Sequence, residues 1–286
     1  MRWEGSRRSD NVEDRRGSSL GGRPVALGAG GFVIILIIAL LTGVNPLSLL
    51  QGVDANVDTP VASGSAVPGT PEEEKMKDFV SAVLGETEDV WREIFSRRGK
   101  TYRDPKLVLF SGLVESACGT AQSASGPFYC PGDEKVYLDM SFFSELSQRL
   151  GAPGDFAQAY VIAHEIGHHV QDLLGISGQV DAMRRRVGEA ESNQLSVRLE
   201  LQADFLAGVW AHYAQESMSV LEPGDLEEAL NAASSIGDDR LQRRSQGYVV
   251  PDAFTHGTSE QRVKWFRRGY ETGDMAQGDT FSARDL

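Results

Sequence analysis

Two histidines stand four residues apart in the string His164-Glu165-Ile166-Gly167-His168, and this spacing constrains the chain more than any other feature. On an α-helix, both imidazoles project from one face, one turn apart. In that arrangement they can share one Zn²⁺ and leave positions for a third ligand and a water. Glu165 is close enough to such a water to serve as a general base instead of a ligand. The string therefore predicts a metal centre built on a helix.

The neighbouring residues predict the helix itself. Gly154-Asp155 offers an N-cap, apolar residues recur from Phe156 to Leu174, and Gly175 is a stop signal. A buried helix rarely carries unpaired polar groups, because each costs about 1–3 kcal/mol. A chance occurrence of the pattern on a surface helix stays open as the alternative, because only three of its five positions are fixed.

The third ligand distinguishes the classes of metal site. One class continues as HExxHxxGxxH, and it is excluded because this chain has Gln171 and Leu174 where glycine and histidine are needed. A second class takes a glutamate from a later helix, followed four residues on by an aspartate, and Glu200 and Asp204 have this spacing. Glu200 would complete a His₂Glu site, and Asp204 would accept the remaining N–H of His164. The alternative is a pair of solvated helix charges.

Further motifs are spread over most of the chain and resemble one family. They are Arg2-Trp3, Asn11-Val12-Glu13-Asp14-Arg15-Arg16-Gly17, Ser116-Ala117-Cys118-Gly119, Gly126-Pro127-Phe128-Tyr129-Cys130-Pro131, Val136-Tyr137-Leu138-Asp139, HEIGHHVQ, ELQAD and Thr255-His256-Gly257-Thr258-Ser259-Glu260-Gln261-Arg262. With these motifs the chain resembles the bacterial predicted neutral zinc metallopeptidases, membrane-anchored proteins of the zincin type. The resemblance implies a zinc-dependent protease and does not imply a natural substrate.

An apolar stretch near the start of the chain predicts a membrane anchor. Residues 24–53 carry no charge, and 25–47 is long enough to span about 30 Å of hydrocarbon. A cleaved signal peptide is the alternative, but no convincing small-x-small site follows closely, which favours the anchor. Residues 1–24 contain six arginines, whereas 51–74 contain no Lys or Arg. This asymmetry predicts a single-pass protein of the bacterial cytoplasmic membrane whose catalytic domain is extracytoplasmic.

The predicted layout has five segments. They are a cytoplasmic arginine-rich tail at 1–24, a transmembrane helix at 25–47, a flexible linker at 48–71, a zinc metallopeptidase domain at 72–275 and a C-terminal tail at 276–286. The expected fold class is α+β: a zincin-like domain, mainly helical with a small sheet, preceded by the transmembrane helix.

Within the domain, a helix is expected from Glu72, and strands are expected at Lys106–Phe110 and Lys135–Asp139. The second strand is expected to be the sheet edge along which an extended peptide lies.

Cys118 and Cys130 are the two cysteines of the chain. Two thiols in an exported domain most often form a disulfide, and the Gly- and Ser-rich loop between them permits closure. A metal role is the weaker alternative.

The net charge of −13 gives no support to nucleic-acid binding.

Three further histidines need a role. His256 precedes a segment, Thr258 to Gln261, that resembles a capping box, and a donor held there could stabilise an oxyanion opposite a metal. An ordinary exposed loop histidine is the alternative. His169 points about 100° away from the ligand face, so it is interpreted as a support for the site or a packing residue. His212 is interpreted mainly as a packing residue.

The predicted activity is the hydrolysis of a peptide or protein substrate. His164, His168 and Glu200 are expected to hold Zn²⁺. Glu165 takes the proton of the attacking water, and His256 hydrogen-bonds the developing oxyanion. Two alternatives are a catalytically silent, zinc-stabilised scaffold that binds envelope proteins and a metal-dependent amidase that acts on a small amide. The intact Glu165 argues against the first, and a glutamate as third ligand argues against the second.

Overall fold

A computed structural model describes residues 1–17 and 69–286, which are mostly helical with small sheets. The helices are α1 (Pro71–Arg97), α2 (Ser141–Gln148), α3 (Asp155–Leu173), α4 (Ile176–Arg184), α5 (Glu189–Met218), α6 (Asp225–Ser235), α7 (Asp238–Gln246) and α8 (Ser259–Thr272). The strands are β1 (Val12–Asp14), β2 (Lys106–Phe110), β3 (Leu113–Ser116), β4 (Gly119–Gln122), β5 (Phe128–Cys130) and β6 (Lys135–Asp139). Short 3₁₀ turns occupy Ser123–Ser125, Pro251–Ala253 and Met275–Gly278.

Within the domain, the helices predicted from Glu72, around the HExxH string and around Glu200 are confirmed as α1, α3 and α5, and their ends follow from local chemistry. Helix α1 begins after Thr70, whose side chain accepts the N–H of Glu73 while the Glu73 carboxylate accepts the N–H of Thr70. Helix α3 begins at Asp155 after Gly154. It ends before Gly175, which adopts the left-handed conformation (φ 77°) that favours glycine.

The larger sheet has the order β1-β2-β6-β5. Strands β1, β2 and β6 are parallel, and β5 runs antiparallel to β6. Both strands predicted from the sequence are confirmed as β2 and β6. However, β6 pairs with a neighbour on each side, so the prediction that it forms an edge is wrong. The chain folds back through a turn at 131–134, and β5 becomes an edge strand of the described sheet, beside α3.

The disulfide between Cys118 and Cys130 is confirmed, with Cα atoms 5.8 Å apart. It joins the turn between β3 and β4 to the last residue of β5, and Cys130 is fully buried. The edge strand is therefore held covalently to the two-stranded sheet at one end and by pairing with β6 along its length.

The first residues of the chain pack into the same compact unit as residues 68–286. Strand β1 pairs with β2, with Val12 opposite Leu107, and Arg16 forms an ion pair with Glu74 of α1 at 2.8 Å. Residues on both sides of the undescribed stretch thus belong to one unit, whereas a single membrane crossing would place them in opposite compartments. The predicted orientation, with the tail inside the cytoplasm and the domain outside, is therefore wrong.

The predicted transmembrane helix is also not supported. Within 1–17 and 69–286, no helix is both long enough and apolar enough to cross a membrane. The predicted fold class is wrong in placing such a helix before the domain, and the predicted single-pass membrane location is wrong with it. The segment at 25–47, on which both predictions depended, lies outside the described residues.

The backbones of helices α5 and α8 are in direct contact, and two glycines allow this contact. A Cβ added to Gly208 would lie 2.0 Å from the carbonyl oxygen of Phe266, and one added to Gly269 would lie 2.0 Å from that of Phe205. Neither distance is compatible with a side chain. The crossing brings the start of α8 against the middle of α5, where the polar residues described next are found.

Candidate metal centre

The site is built where α3 meets α5. Gly167 lies within the HExxH string, and a Cβ there would be 2.9 Å from the carbonyl oxygen of Ala203 on α5. Glycine at this position therefore allows the two helix backbones to approach closely. As a result His164 and His168, on one face of α3, lie against Glu200 on the facing side of α5.

The distances between the three side chains suit a tetrahedral metal. Nε2 of His164 lies 3.2 Å from Oε2 of Glu200, and Nε2 of His168 lies 3.4 Å from Oε1 of the same carboxylate. The three ligand atoms lie within 4.8 Å of one another. A tetrahedral Zn²⁺ with bonds of about 2.0–2.1 Å has ligand–ligand edges of about 3.4 Å. Two imidazoles and a carboxylate are also a donor set that catalytic zinc sites use, so the residues fit this metal.

A second group of acids, Asp155, Asp225 and Glu228, is close enough together to be considered as a metal site. Its carboxylates are already engaged. The α-amino group of Met1 lies 2.7 Å from Asp155 and 3.3 Å from Asp225, and Glu228 accepts the backbone N–H of Phe156. The group also contains no histidine, so the His₂Glu cluster is the better candidate for zinc.

Asp204 lies one turn after Glu200, and its carboxylate faces His164. Its Oδ1 lies 2.9 Å from Nδ1 of His164, and because a carboxylate only accepts, Nδ1 carries the proton and Nε2 faces Glu200. Asp204 is fully buried and also accepts the hydroxyl of Tyr160.

Arg262 of α8 completes this network and was missed by the sequence analysis. Its Nε and one terminal nitrogen donate to the two oxygens of Asp204 at 2.8 and 3.0 Å, and the guanidinium is 2% exposed. The signal was present in the sequence, because Arg262 shares a helical stripe with Trp265, Phe266 and Gly269, all of which are buried. A charged residue on an apolar stripe requires a buried partner of opposite charge.

The charges of the site stabilise one another. Burial opposes ionisation of Asp204, but the Arg262 guanidinium and His164 lower the pKa of its carboxyl. Burial likewise opposes charge on His164, but the Asp204 carboxylate and its hydrogen bond raise the pKa of the imidazole to about 10. The two histidines hold the pKa of Glu200 well below its usual range despite burial. A metal cation bound here would replace protons, so metal uptake is expected to depend on pH.

His256 is held near the ligands by a second aspartate. Asp238, the first residue of α7, accepts the backbone N–H groups of Thr255, His256 and Gly257 at 2.7, 2.6 and 3.1 Å. Its other oxygen lies 3.3 Å from Nδ1 of His256. Burial opposes charge on this imidazole, but the hydrogen bond to Asp238 raises its pKa. The predicted capping box of the following helix, Thr258 with Gln261, is confirmed.

A cleft of about 630 Å³ opens beside these residues. Glu165, His164, His168, Glu200 and His256 all line it. The remaining lining is mainly apolar and aromatic, and it includes Pro127, Phe128, Tyr129 and Pro131 from the edge strand and its flanks and Phe142, Leu150, Val161, Leu199, Ile236 and Leu241 from the surrounding elements. The structure thus brings the three predicted ligands, Glu165 and His256 to one cleft, whereas Asp204 and the two cysteines do not line it.

The other two histidines lie outside the cleft lining. His169 is fully buried on α3, with Nδ1 3.1 Å from the hydroxyl of Tyr129 and Nε2 2.6 Å from the carbonyl oxygen of Arg103. It therefore holds the edge strand β5 against the helix that carries the ligands. His212 contacts the carbonyl oxygen of Tyr270 at 2.7 Å and packs α5 against α8.

Comparison with known proteins adds an independent observation. The sequence model of a family described as "Putative neutral zinc metallopeptidase" matches residues 1–281.

The chain belongs to this family.

Its relatives include "Uncharacterized protein YpfJ" of Escherichia coli (strain K12), which is 53% identical over 289 residues that cover 98% of this chain and 99% of that protein. "Uncharacterized protein Rv2575" of Mycobacterium tuberculosis (strain ATCC 25618 / H37Rv) is 43% identical over 262 residues, which cover 87% of this chain and 86% of that protein. "Uncharacterized protein Mb2605" of Mycobacterium bovis has the same identity and coverage. No solved structure matches the chain.

Proposed function

We propose that this member of the family is an active peptidase that uses zinc held by His164, His168 and Glu200. The observation that carries the proposal is the set of distances from both Nε2 atoms to the Glu200 carboxylate, 3.2 and 3.4 Å, beside a cleft that Glu165 also lines. The three ligands and the candidate base thus line one cleft that can admit a substrate, as a hydrolytic metal site requires.

The metal and two residues of the cleft have separate roles in the proposed reaction. When bound, zinc lowers the pKa of water and polarises a carbonyl group. Glu165 follows His164 on α3 and is 8% exposed in the cleft wall, where it can accept the proton of the attacking water and pass it to the leaving amine. His256 is half-exposed towards the cleft, and as an imidazolium it can donate a hydrogen bond to the carbonyl oxygen as this oxygen becomes anionic.

An extended polypeptide is the substrate class that best suits the cleft. Strand β5 is a free sheet edge in the cleft wall, and an edge strand can pair with an added strand through its backbone. Pro127 and Pro131 flank it and have no N–H to donate, which confines pairing to a short stretch around Phe128–Cys130. The apolar lining indicates bulky apolar side chains near the cleaved bond.

The metal assignment gives the first prediction. Glu200→Ala should weaken zinc binding sharply, because two imidazoles alone cannot complete the four-coordinate site. Zinc content after dialysis and hydrolysis of a library of unstructured peptides should be measured together on the full chain. The wild type is expected to hold about one zinc per chain and to lose hydrolysis when a chelator removes it.

Glu191 is a suitable control because it lies in the first turn of the same helix, outside the site. Glu191→Ala should leave zinc binding and hydrolysis unchanged. Full zinc retention in Glu200→Ala would remove Glu200 from the site. A wild type that holds zinc but cleaves no peptide would instead favour the scaffold alternative.

A second prediction concerns pH. Because the hydrogen bond to Asp238 raises the pKa of His256, the charged donor persists to higher pH and is lost as pH rises through that pKa. Asp238→Asn removes the negative charge, so the alkaline limb of the kcat/KM profile for peptide hydrolysis should move to lower pH. Asp239→Asn is the matched control, because Asp239 bonds Ser259 and not His256. An alkaline limb that stays in place in Asp238→Asn would contradict the role of His256.

A further inference from the structure

We propose that Gln171 is a positioning residue of the metal centre: it keeps the proton of His168 on Nδ1 and couples this ligand to the backbone next to Glu200. The inference rests on the proposed zinc site and assigns a role to a residue outside the ligand set. In the sequence, Gln171 served only to exclude another class of metal site.

The contacts of Gln171 are few and specific. Its Oε1 lies 2.9 Å from Nδ1 of His168, one turn earlier on α3. Its Nε2 donates to the carbonyl oxygen of Leu199 at 2.7 Å and to Oε1 of Gln202 at 3.1 Å. The side chain is fully buried. The three polar contacts are buried or partly buried, and an unsatisfied buried group would cost about 1–3 kcal/mol.

These contacts determine which nitrogen of His168 carries the proton. A backbone carbonyl can only accept, so the amide nitrogen of Gln171 must face Leu199 and its oxygen must face the imidazole. An amide oxygen can only accept, so Nδ1 of His168 must donate. The lone pair of the neutral ring is then on Nε2, the atom that faces Glu200 at 3.4 Å. The carbonyl of Leu199 thus fixes the tautomer through one intervening side chain.

The same contacts join two ligands that come from different helices. Leu199 directly precedes Glu200, so a displacement of α5 at the third ligand would move the acceptor that orients Gln171. Gln202 extends the network, because its Nε2 donates to the carbonyl oxygen of Gly278 in the last 3₁₀ turn at 2.9 Å. The two histidines therefore have different supports: a carboxylate with an arginine behind His164, and a neutral amide network behind His168.

The experiment replaces Gln171 in the full chain and measures zinc affinity by competition with a chelator. Gln171→Met keeps the length of the side chain but cannot accept from His168, so the Kd for zinc should rise by about 10- to 100-fold. The absorption spectrum of the Co²⁺-loaded protein should change too, because the orientation of one ligand ring is released. A Kd and a Co²⁺ spectrum equal to those of wild type would overturn the inference.

Two further variants separate ring orientation from packing. Gln171→Glu restores an acceptor for Nδ1 of His168 but loses the donor to Leu199 and Gln202, so it should recover only part of the zinc affinity lost in Gln171→Met. Gln215→Met removes an amide near the end of α5 that accepts the backbone N–H of Leu221 away from the ligands, and it should stay close to wild type. If Gln171→Glu binds zinc no better than Gln171→Met, or if Gln215→Met loses as much affinity, Gln171 acts only in packing and the inference fails.

The protonated nitrogen of His168 can also be identified in the wild type, without depending on whether a variant folds. Nitrogen NMR of the zinc-loaded chain should show His168 with a protonated Nδ1 and a metal bound at Nε2, and a metal bound at Nδ1 would overturn the inference. Tight zinc binding by wild type and Gln171→Met alike would contradict this role and leave the proposed function intact. A wild type that binds no zinc would overturn both.

Discussion

Glu165→Gln is expected to retain zinc while hydrolysis of unstructured peptides falls by at least about 10²-fold. The substitution keeps the size and polarity of the side chain but removes its ability to accept the proton of water. Glu165 lines the cleft next to His164 and lies outside the three-residue ligand cluster, so the metal should be unaffected. Steady-state kcat/KM and zinc content should be measured on the same preparation.

Glu145→Gln provides the matched control for this substitution. Glu145 lines the same cleft, but it is paired with Arg149 at 2.6 Å in an exposed i,i+4 contact. Loss of such a contact lowers the free energy of unfolding by only about 0.3–0.5 kcal/mol. Glu145 is also outside the ligand cluster, so hydrolysis should change little. Unchanged turnover in Glu165→Gln would show that another group accepts the proton. If neither wild type nor variant cleaves any peptide of a broad library, the protein is better described as a binding scaffold.

Arg262→Met should lower the free energy of unfolding by about 3–5 kcal/mol. Asp204 has no exposed surface and receives two hydrogen bonds from Arg262, so the variant would leave a buried carboxylate with only Tyr160 and His164 beside it. Methionine preserves most of the side-chain volume, so the decrease in the free energy of unfolding is due to the unpaired charge and not to a cavity. Denaturant unfolding of the zinc-loaded chain measures the effect.

Arg268→Met on the same helix is the control for Arg262→Met. Arg268 is exposed, lies over the ring of Trp265 at 5.2 Å and bonds Gln277, so its loss should have an effect of about 1 kcal/mol or less. If Arg262→Met unfolds within about 1 kcal/mol of wild type, the buried pair does not hold the two helices together in the way its geometry indicates.

The sequence was most informative where a short-range pattern carries the structure. His164 and His168 are one helical turn apart, and so are Glu200 and Asp204. Local periodicity therefore predicts that each pair shares a face of its helix. The strands at Lys106–Phe110 and Lys135–Asp139 and the disulfide could likewise be predicted from composition and spacing.

Features that depend on contacts between distant segments could not be predicted in this way. Asp238 contacts His256 and Arg262 contacts Asp204, each on another element, and no local sequence pattern identifies either partner. Strand β5 has only three residues between flanking prolines, too short for a period-two pattern, so the edge was assigned to the longer β6 instead. The uncharged run at 25–47 was interpreted by hydropathy alone, which takes no account of where the residues before and after it are held.

The parallel part of the sheet has a consequence for the order of folding. Strand β1 emerges first during synthesis, but its partner β2 lies far along the chain, and β2 in turn awaits β6. Because non-local pairing requires closure of long loops, it is slow compared with helix formation. We expect the nascent chain to carry an unpaired β1 at least until β2, at residues 106–110, has been made. The edge of the described sheet opposite β5 is thus formed by a strand that is synthesised well before its only described partner.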